Sequence, residues 1–240
     1  MGHGAIKAQG YGAVNNALGW SAYCVTAATA HKLPAMSATP DPRRHMPATL
    51  RNREAILAVL RQEAPKAGVL LEIASGSGEH AAWMAPQLQS LIWQPSDYEA
   101  EALPSIDAHA ADSGASNIRP ALQIDVTQDS WPVSRVDAIL CCNMIHIAPW
   151  SAAEGLFAGA ARILPAGAAL MLYGPFKRNG AHTAPSNEKF DAEFLKARNP
   201  AWGVRCLDTE VTPLAERTGF ARAATHEMPA NNLTVVFRKR

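Results

Sequence analysis

The stretch at residues 69–80 reads V-L-L-E-I-A-S-G-S-G-E-H and combines an apolar run with two closely spaced glycines. The apolar residues at 69–73 predict a strand that is buried on both faces. Gly76 and Gly78 allow the backbone to turn tightly and to approach a ligand closely. The residues from Glu79 onward would open a helix whose unpaired N–H groups face that ligand. The stretch therefore predicts a strand, a nucleotide-cofactor loop and a helix.

This loop fits two cofactor templates. As Gly76-x-Gly78-x-x-Ala81 it matches the dinucleotide fingerprint, and Asp97 lies 19 residues after Gly78, near the place of a ribose-binding acid. Read from Glu72, it is E-x-A-x-G-x-G, the acid-led loop of Rossmann-like S-adenosylmethionine (SAM) methyltransferases. A dinucleotide loop has no need of a carboxylate at Glu72, whereas the methionine end of SAM carries an ammonium group that such a carboxylate can bind. The sequence therefore favours SAM over NAD.

Composition sets broad limits. The chain has 240 residues, of which 48% are hydrophobic and 18% charged, which is ordinary for one globular domain. A net charge of +1 gives no electrostatic footprint for nucleic acid. Its four cysteines lack C-x-x-C spacing, and Cys141 and Cys142 stand in an apolar run as free buried thiols would. We expect a cytoplasmic protein that uses neither nucleic acid nor a membrane as partner; the composition does not indicate an oligomeric state.

The N-terminal region differs from the rest of the chain. Residues 1–40 contain no Asp or Glu, and glycines and asparagines interrupt their apolar stretch, which argues against a transmembrane helix. We expect residues 1–48 to form a poorly ordered extension and residues 49–240 to form the methyltransferase-like domain. A cleaved targeting segment, or upstream translation with Met36 or Met46 as the working start, are the alternatives.

From residue 49 onward, segments of helical and strand periodicity alternate. An amphipathic helix is predicted at 52–62, and a capping box, Ser151 to Glu154, is predicted to start another helix. Strands are predicted at 69–73, 91–97, 122–126, 136–142 and 168–173, followed by two more at 221–227 and 233–238. The predicted fold class is α/β, a Rossmann-like doubly wound, mostly parallel seven-stranded sheet.

The last two predicted strands separate the two templates further. Their link, Pro229 to Asn232, is too short for a parallel crossover, so the strands must form an antiparallel hairpin. Methyltransferase sheets of this class end in such a hairpin. A dehydrogenase would need its own catalytic signature, and in the one apparent match, Tyr173-x-x-x-Lys177, Gly174 and Pro175 forbid the helical turn that the pair requires.

Six segments carry a resemblance to a known family. The chain resembles the methyltransferase-like protein twenty-six family from Thr49 to Arg240, in R-N-R-E-A-I-L (51–57), L-E-I-A-S-G-S-G-E-H (71–80), W-Q-P-S-D (93–97), N-M-I-H-I-A-P-W (143–150), Y-G-P-F (173–176) and S-N-E-K-F-D (186–191). The resemblance implies a class I SAM-dependent methyltransferase fold with no settled substrate. The chain departs from the general methyltransferase pattern in having Ala74 at the first small position of the loop.

The resemblance also implies roles for cofactor-binding residues. It assigns the methionine end of SAM to Glu72 and to the turn Gly76-Ser77-Gly78. Asp97, at the end of the second strand, is the candidate for the two ribose hydroxyls. Asp125, with the backbone of Val126, is the candidate for the adenine edge, and an ordinary turn carboxylate is the equal alternative for Asp125.

The loop after the fourth strand is where methyltransferases place residues that face the transferred methyl group. Asn143 is a candidate contact for the amino-acid end of the cofactor. His146 is the candidate catalytic base, because its unperturbed pKa of roughly 6.5 lies near working pH. A hydrogen-bonded core histidine is the alternative, and methyl transfer can proceed by alignment without a base.

Residues 173–202 are rich in loop formers and are predicted to include a substrate lid, with Ser186 as the alternative cap of a helix. No metal site is predicted, since the histidines are scattered along the chain. The predicted function is SAM-dependent transfer of a methyl group to a small-molecule acceptor. An NAD-dependent oxidoreductase and a non-catalytic SAM-binding module that acts through partners are the alternatives.

Overall fold

A seven-stranded sheet forms the centre of the computed structural model, which describes residues 40–240. The strand order is β3-β2-β1-β4-β5-β9-β8, and a separate hairpin pairs β6 with β7. The strands are β1 (Gly68–Ile73), β2 (Leu91–Asp97), β3 (Leu122–Gln123), β4 (Ala138–Cys142), β5 (Ala169–Gly174), β6 (Lys177–Arg178), β7 (Ala181–His182), β8 (Phe220–Met228) and β9 (Asn232–Lys239).

Strands β1 to β5 are parallel, and β9 runs antiparallel to both β5 and β8. This arrangement confirms the predicted α/β fold with a mostly parallel sheet and a C-terminal antiparallel hairpin. The third strand is shorter than predicted, because the chain turns at Asp125, whose carboxylate accepts the N–H of Thr127 at 2.9 Å. The carboxyl ends of β1, β2, β4 and β5 lie at the same edge of the sheet.

Helices cover both faces of the sheet. They are α1 (Pro47–Glu63), α2 (Glu79–Met84), α3 (Leu103–Ser113), α4 (Trp150–Ile163), α5 (Pro185–Lys189) and α6 (Thr212–Arg217), with two π-helical segments at Phe190–Lys196 and Leu207–Val211. Neighbouring residues of each strand point to opposite faces, so Leu70 packs with α1 and α2 while Leu71 packs with α4. The apolar run at 69–73 is thus buried on both sides.

The predicted capping box at Ser151 is wrong. Helix α4 begins at Trp150, its N-cap is Pro149, and no side chain caps it. The carbonyl of Pro149 accepts the N–H of Ala152 at 2.9 Å, so Ser151 already lies inside the first turn. Proline fixes φ near the value that a helix entrance tolerates, and the helix starts two residues earlier than the box requires.

The compact unit begins at Asp41, ahead of the predicted domain start at residue 49. The N–H of Arg44 donates to the hydroxyl of Ser105 at 2.8 Å, and the N–H of Met46 donates to Glu79 at 2.7 Å. Residues 1–39, with most of the predicted extension and Cys24, lie outside the described residues. In the described part, none of the helices has the length and apolar character needed to cross a bilayer.

Candidate functional site

The glycine loop after β1 uses its two glycines for different purposes. Gly76 and Gly78 have φ of 60° and 91°. A Cβ on Gly78 would lie 2.5 Å from Cα of Ile106, so this glycine lets α3 pack against the loop. A Cβ on Gly76 would have no heavy atom of residues 40–240 within 4 Å. Gly76 is exposed and leaves its backbone open to a ligand.

Ala74 also adopts a left-handed conformation, with φ of 58°. Glycine takes this conformation without strain, whereas a residue with a Cβ loses about 1–2 kcal/mol. The departure from the general methyltransferase pattern at this position is therefore a local cost in backbone energy.

Glu72 is a buried carboxyl group near the end of β1, with 1% of its surface exposed. Its Oε2 accepts hydrogen bonds from the indole N–H of Trp93 at 2.9 Å and from the hydroxyl of Ser75 at 3.0 Å. Burial raises the pKa of Glu72 to about 7, against the effect of these two donors, and the negative charge of Asp97 adds to the rise. The site therefore holds a carboxyl group that gains from a nearby positive charge.

His80 connects Glu72 to α1. Its Nδ1 lies 3.9 Å from Oε1 of Glu72, and its Nε2 lies 2.8 Å from the amide oxygen of Asn52. Burial lowers the pKa of His80 to about 4, and the positive charge of Arg53 lowers it further against the opposing effect of Glu79. Sequence reasoning assigned no role to Asn52 or His80, although both stand in the segments that carry the family resemblance.

Asp97 lies at the end of β2, where it was predicted to bind the ribose. Its Oδ2 accepts the N–H of Gly76 at 2.8 Å, and its Oδ1 accepts the N–H of Glu99 at 3.0 Å. The carboxylate thus fixes the glycine loop. Because each carboxylate oxygen has two lone pairs, both can still accept a hydroxyl donor.

Asp125 and Val126 follow β3. The carboxylate of Asp125 accepts the N–H and the hydroxyl of Thr127 at 2.9 and 2.7 Å, and the side-chain amide of Gln128 at 3.1 Å. The Thr127 hydroxyl is the main cause of a lowered pKa at Asp125. These are the contacts of a turn carboxylate, and Val126 is buried in the core. Their contact with adenine stays a prediction.

Asn143 directly follows β4, beside β5. Its φ is 62°, its N–H donates to the carbonyl of Tyr173 at 2.8 Å, and its carbonyl accepts the N–H of His146 at 2.9 Å. A Cβ on Gly174 would lie 3.3 Å from the side-chain oxygen of Asn143. The left-handed turn therefore places the Asn143 amide at the edge where β4 and β5 end.

His146 is fully buried. Its Nδ1 accepts the N–H of Arg205 at 3.2 Å, so the proton of the neutral ring lies on Nε2, which has no hydrogen-bond partner in residues 40–240. Burial lowers the pKa of His146 to about 3, with a further contribution from the charge of Arg205. This geometry is that of a buried hydrogen-bonded histidine that presents an N–H, and a role as base stays a prediction.

The predicted lid region is fastened by Asp191, which is 1% exposed. Its Oδ2 contacts Nζ of Lys177 at 3.2 Å, Nε2 of His182 at 3.0 Å and Nζ of Lys196 at 2.9 Å, while its Oδ1 accepts the N–H of Val204 at 2.9 Å. The carboxylate thus joins the β6–β7 hairpin, the π-helical segment Phe190–Lys196 and the loop that contains Val204.

Ser186 does not cap the helix in this region. Helix α5 begins at Pro185, and its N-cap is Ala184. Proline at the first helical position has no N–H that needs a cap, so Ser186 falls inside the first turn. The capping alternative for Ser186 is therefore wrong.

The described chain has the fold of SAM-dependent methyltransferases. It is similar to CalO1, a methyltransferase in calicheamicin biosynthesis, in its SAH-bound form, with a TM-score of 0.63, 17% identity, and coverage of 78% of this chain and 54% of that one. It is also similar to an O-methyltransferase family 2 protein from Planctomyces limnophilus in complex with apigenin. The TM-score is 0.64 and the identity 19%, with coverage of 79% of this chain and 56% of that one. The chain thus spans about half the length of these two proteins.

A shorter relative is matched over nearly its whole length. The YcgJ protein from Bacillus subtilis gives a TM-score of 0.60 and 14% identity, with coverage of 78% of this chain and 97% of that one. A family model with the description "Protein of unknown function (DUF938)" matches residues 43–239. The chain therefore belongs to the DUF938 family.

Proposed function

We propose that this protein binds SAM at the carboxyl edge of its sheet and transfers the methyl group to a small-molecule acceptor. The observation that carries the proposal is the buried carboxyl group of Glu72 beside the open backbone of Gly76. A buried carboxyl group without a cationic partner is costly, and the ammonium group of a methionine moiety would offset that cost. The resemblance to the methyltransferase-like protein twenty-six family is part of this proposal.

The residues present fit such a cofactor. In the proposed complex, Glu72 would hold the ammonium group and Gly76 would let the loop backbone approach. Asp97 would accept the ribose hydroxyls through its remaining lone pairs, and Asn143 would contact the amino-acid end. When bound, SAM supplies a methyl group on a positively charged sulfur.

Positioning is the main contribution that we assign to the protein. Alignment of an acceptor atom with the methyl group can supply most of the rate without a proton transfer. The buried Nε2–H of His146 would donate a hydrogen bond rather than remove a proton, because Nδ1 is already occupied by Arg205. We therefore assign His146 an orienting role in this proposal.

A small molecule is the proposed acceptor class. The solved structures of this fold include a methyltransferase in calicheamicin biosynthesis, a pyocyanin biosynthetic protein and a family 2 O-methyltransferase bound to apigenin. Calicheamicin, pyocyanin and apigenin are small organic molecules. A dehydrogenase is disfavoured, because it gives no reason for a buried acid at Glu72.

Calorimetric titration tests the proposal. We expect saturable binding of S-adenosylhomocysteine and SAM, no response to NAD, and at least a tenfold loss of affinity in Glu72→Ala. Glu154→Gln is the matched control, because Glu154 is exposed and pairs with Arg217 on the surface. Binding of NAD in place of the adenosyl ligands would support the oxidoreductase, and binding of none of them would contradict the proposal.

Turnover requires a second experiment. Incubation with SAM carrying a labelled methyl group and fractionated small-molecule extracts should yield a labelled product. Retained cofactor binding with no labelled product from any extract would support a non-catalytic SAM-binding module instead.

A further inference from the structure

We propose that His45, Glu79 and His109 form a binding site for a divalent transition metal ion such as Zn²⁺. One ligand atom from each of these residues lies within 4.8 Å of the other two. Two imidazole nitrogens and a carboxylate oxygen are a common ligand set for zinc, and three protein ligands leave one position for water. The proposal does not depend on the proposed methyltransferase function.

The first pair of ligands already has suitable spacing. Nδ1 of His45 lies 3.1 Å from Oε1 of Glu79. In a tetrahedral site with bonds of about 2.0–2.1 Å, neighbouring ligand atoms are about 3.3 Å apart. The rings of His45 and His109 meet edge to face, with centroids 5.2 Å apart. Because the side chain of His45 is 71% exposed, it can rotate to close the remaining distance at little cost.

Two surrounding contacts orient the less exposed ligands. Nε2 of His109 lies 2.9 Å from the carbonyl oxygen of Arg44. Because that oxygen can only accept, Nε2 carries the proton and Nδ1 presents its lone pair. A hydrogen bond from the second ring nitrogen to a backbone carbonyl is the usual support of a metal-binding histidine.

Two hydrogen-bond donors orient the side chain of Glu79. Its Oε2 accepts the N–H of Met46 at 2.7 Å and the hydroxyl of Ser77 at 2.9 Å. These donors hold the carboxylate with Oε1 directed at His45. A bound ion would therefore join three separate parts of the chain, which are the segment before α1, the start of α2, and α3. It would fasten residues 41–46 to the core.

Metal titration of the full chain, without an affinity tag, tests the site. Co²⁺ serves as the spectroscopic probe and Zn²⁺ as the competitor. We expect one Co²⁺ ion per chain with the visible spectrum of a nitrogen–oxygen site, displaced by Zn²⁺. His109→Ala and His45→Ala should each weaken this binding by at least about 10- to 100-fold. His226→Ala is the matched control, because His226 also pairs with a glutamate, Glu63, at 3.0 Å.

Glu79→Gln keeps the fold testable, because an amide oxygen can still accept hydrogen bonds from Met46 and Ser77. This variant should retain the circular dichroism of the wild type and lose the metal. Zn²⁺ should raise the Tm of the wild type and leave that of Glu79→Gln unchanged. A cobalt–thiolate charge-transfer band would assign binding to cysteines and overturn the proposal. Unchanged affinity in the variants, or no binding by the wild type at micromolar metal, would overturn it equally.

Discussion

At the scale of single residues, Gly78 and Gly76 differ in the atoms that the Cβ of an alanine at each position would contact. Gly78→Ala should lower the free energy of unfolding by about 2–4 kcal/mol, because its Cβ would collide with the backbone of Ile106 and also strain a left-handed residue. Gly76→Ala should cost only the backbone strain of about 1–2 kcal/mol. Urea denaturation of the two variants measures the difference.

Gly76→Ala, the variant expected to lose less stability, should be the one that weakens cofactor binding more. Gly76→Ala places a methyl group on the exposed side of the loop and should weaken S-adenosylhomocysteine binding while the fold persists. Equal losses of stability in both variants would contradict the packing role of Gly78.

Glu72 should make stability depend on pH. Its pKa rises from 4.5 to about 7 on folding, so the folded state holds a proton that the unfolded state has released. The contribution of Glu72 to stability without cofactor should therefore fall by roughly 3 kcal/mol as the pH rises from 4.5 to 7, and level off above 7. Glu72→Gln should remove this slope.

Urea denaturation of both proteins between pH 5 and 8 measures the difference in slope. The comparison with Glu72→Gln subtracts the contributions of other groups, among them His80, whose pKa is about 4 in the folded protein and whose ordinary value of 6.5 applies in the unfolded chain. Parallel stability curves for the two proteins would show that Glu72 has an ordinary pKa.

Sequence reasoning found the residues that belong to a local pattern. Glu72, Gly76 and Asp97 follow from a strand, a loop and a spacing, and the structure brings the three together. Of the residues that it missed, Trp93 reaches Glu72 from the neighbouring strand β2, and His80 reaches it from helix α2. Sequence spacing carries no information on such contacts, because they depend on where distant segments are placed.

At the scale of elements, Asp191 should hold the segments around the predicted lid. Asp191→Asn should lower the free energy of unfolding by about 1–3 kcal/mol, since it removes charged hydrogen bonds to Lys177 and Lys196. Limited proteolysis should cleave residues 177–206 faster in this variant. Glu193→Gln is the control, because its exposed pair with Lys189 should contribute little.

The contribution of Asp191 should disappear in acid. Burial alone would raise its pKa, but donors that include Lys196, Val204 and His182 outweigh burial and hold the pKa well below its usual range. The stabilisation is therefore present above about pH 4, the usual value for Asp, and is lost as the pH falls below it. Equal rates of proteolysis of the variant and the wild type at neutral pH would show that Asp191 does not hold these segments together.

Element boundaries were predictable only where apolar periodicity is strong. Strand β2 matches its predicted limits at 91–97, and the hairpin of β8 and β9 lies close to its own. The start of α4 and the length of β3 were not predictable from periodicity, because Pro149 and the turn at Asp125 determine them locally. No periodicity signals the π-helical segments at 190–196 and 207–211.

At the scale of the whole molecule, residues 41–46 should contribute to stability. A chain that begins at Pro47 lacks the hydrogen bonds from Arg44 to Ser105 and from Met46 to Glu79, whereas a chain that begins at Asp41 keeps them. We expect the shorter chain to be less stable by about 1–3 kcal/mol. Scanning calorimetry of the two chains measures the difference, and an equal Tm would show that this segment is dispensable.

The mostly parallel character of the sheet was predictable because strands and helices alternate along the chain, and the short link between the last two predicted strands requires them to pair antiparallel. That topology has a consequence for biosynthesis. Strand β8 is made before β9, yet β9 is its sole neighbour among the strands of residues 40–240. Until β9 has left the exit tunnel of the ribosome, β8 has both edges unpaired and β5 lacks one neighbour. During that interval the nascent chain exposes strand edges that a chaperone can bind or another nascent chain can pair with.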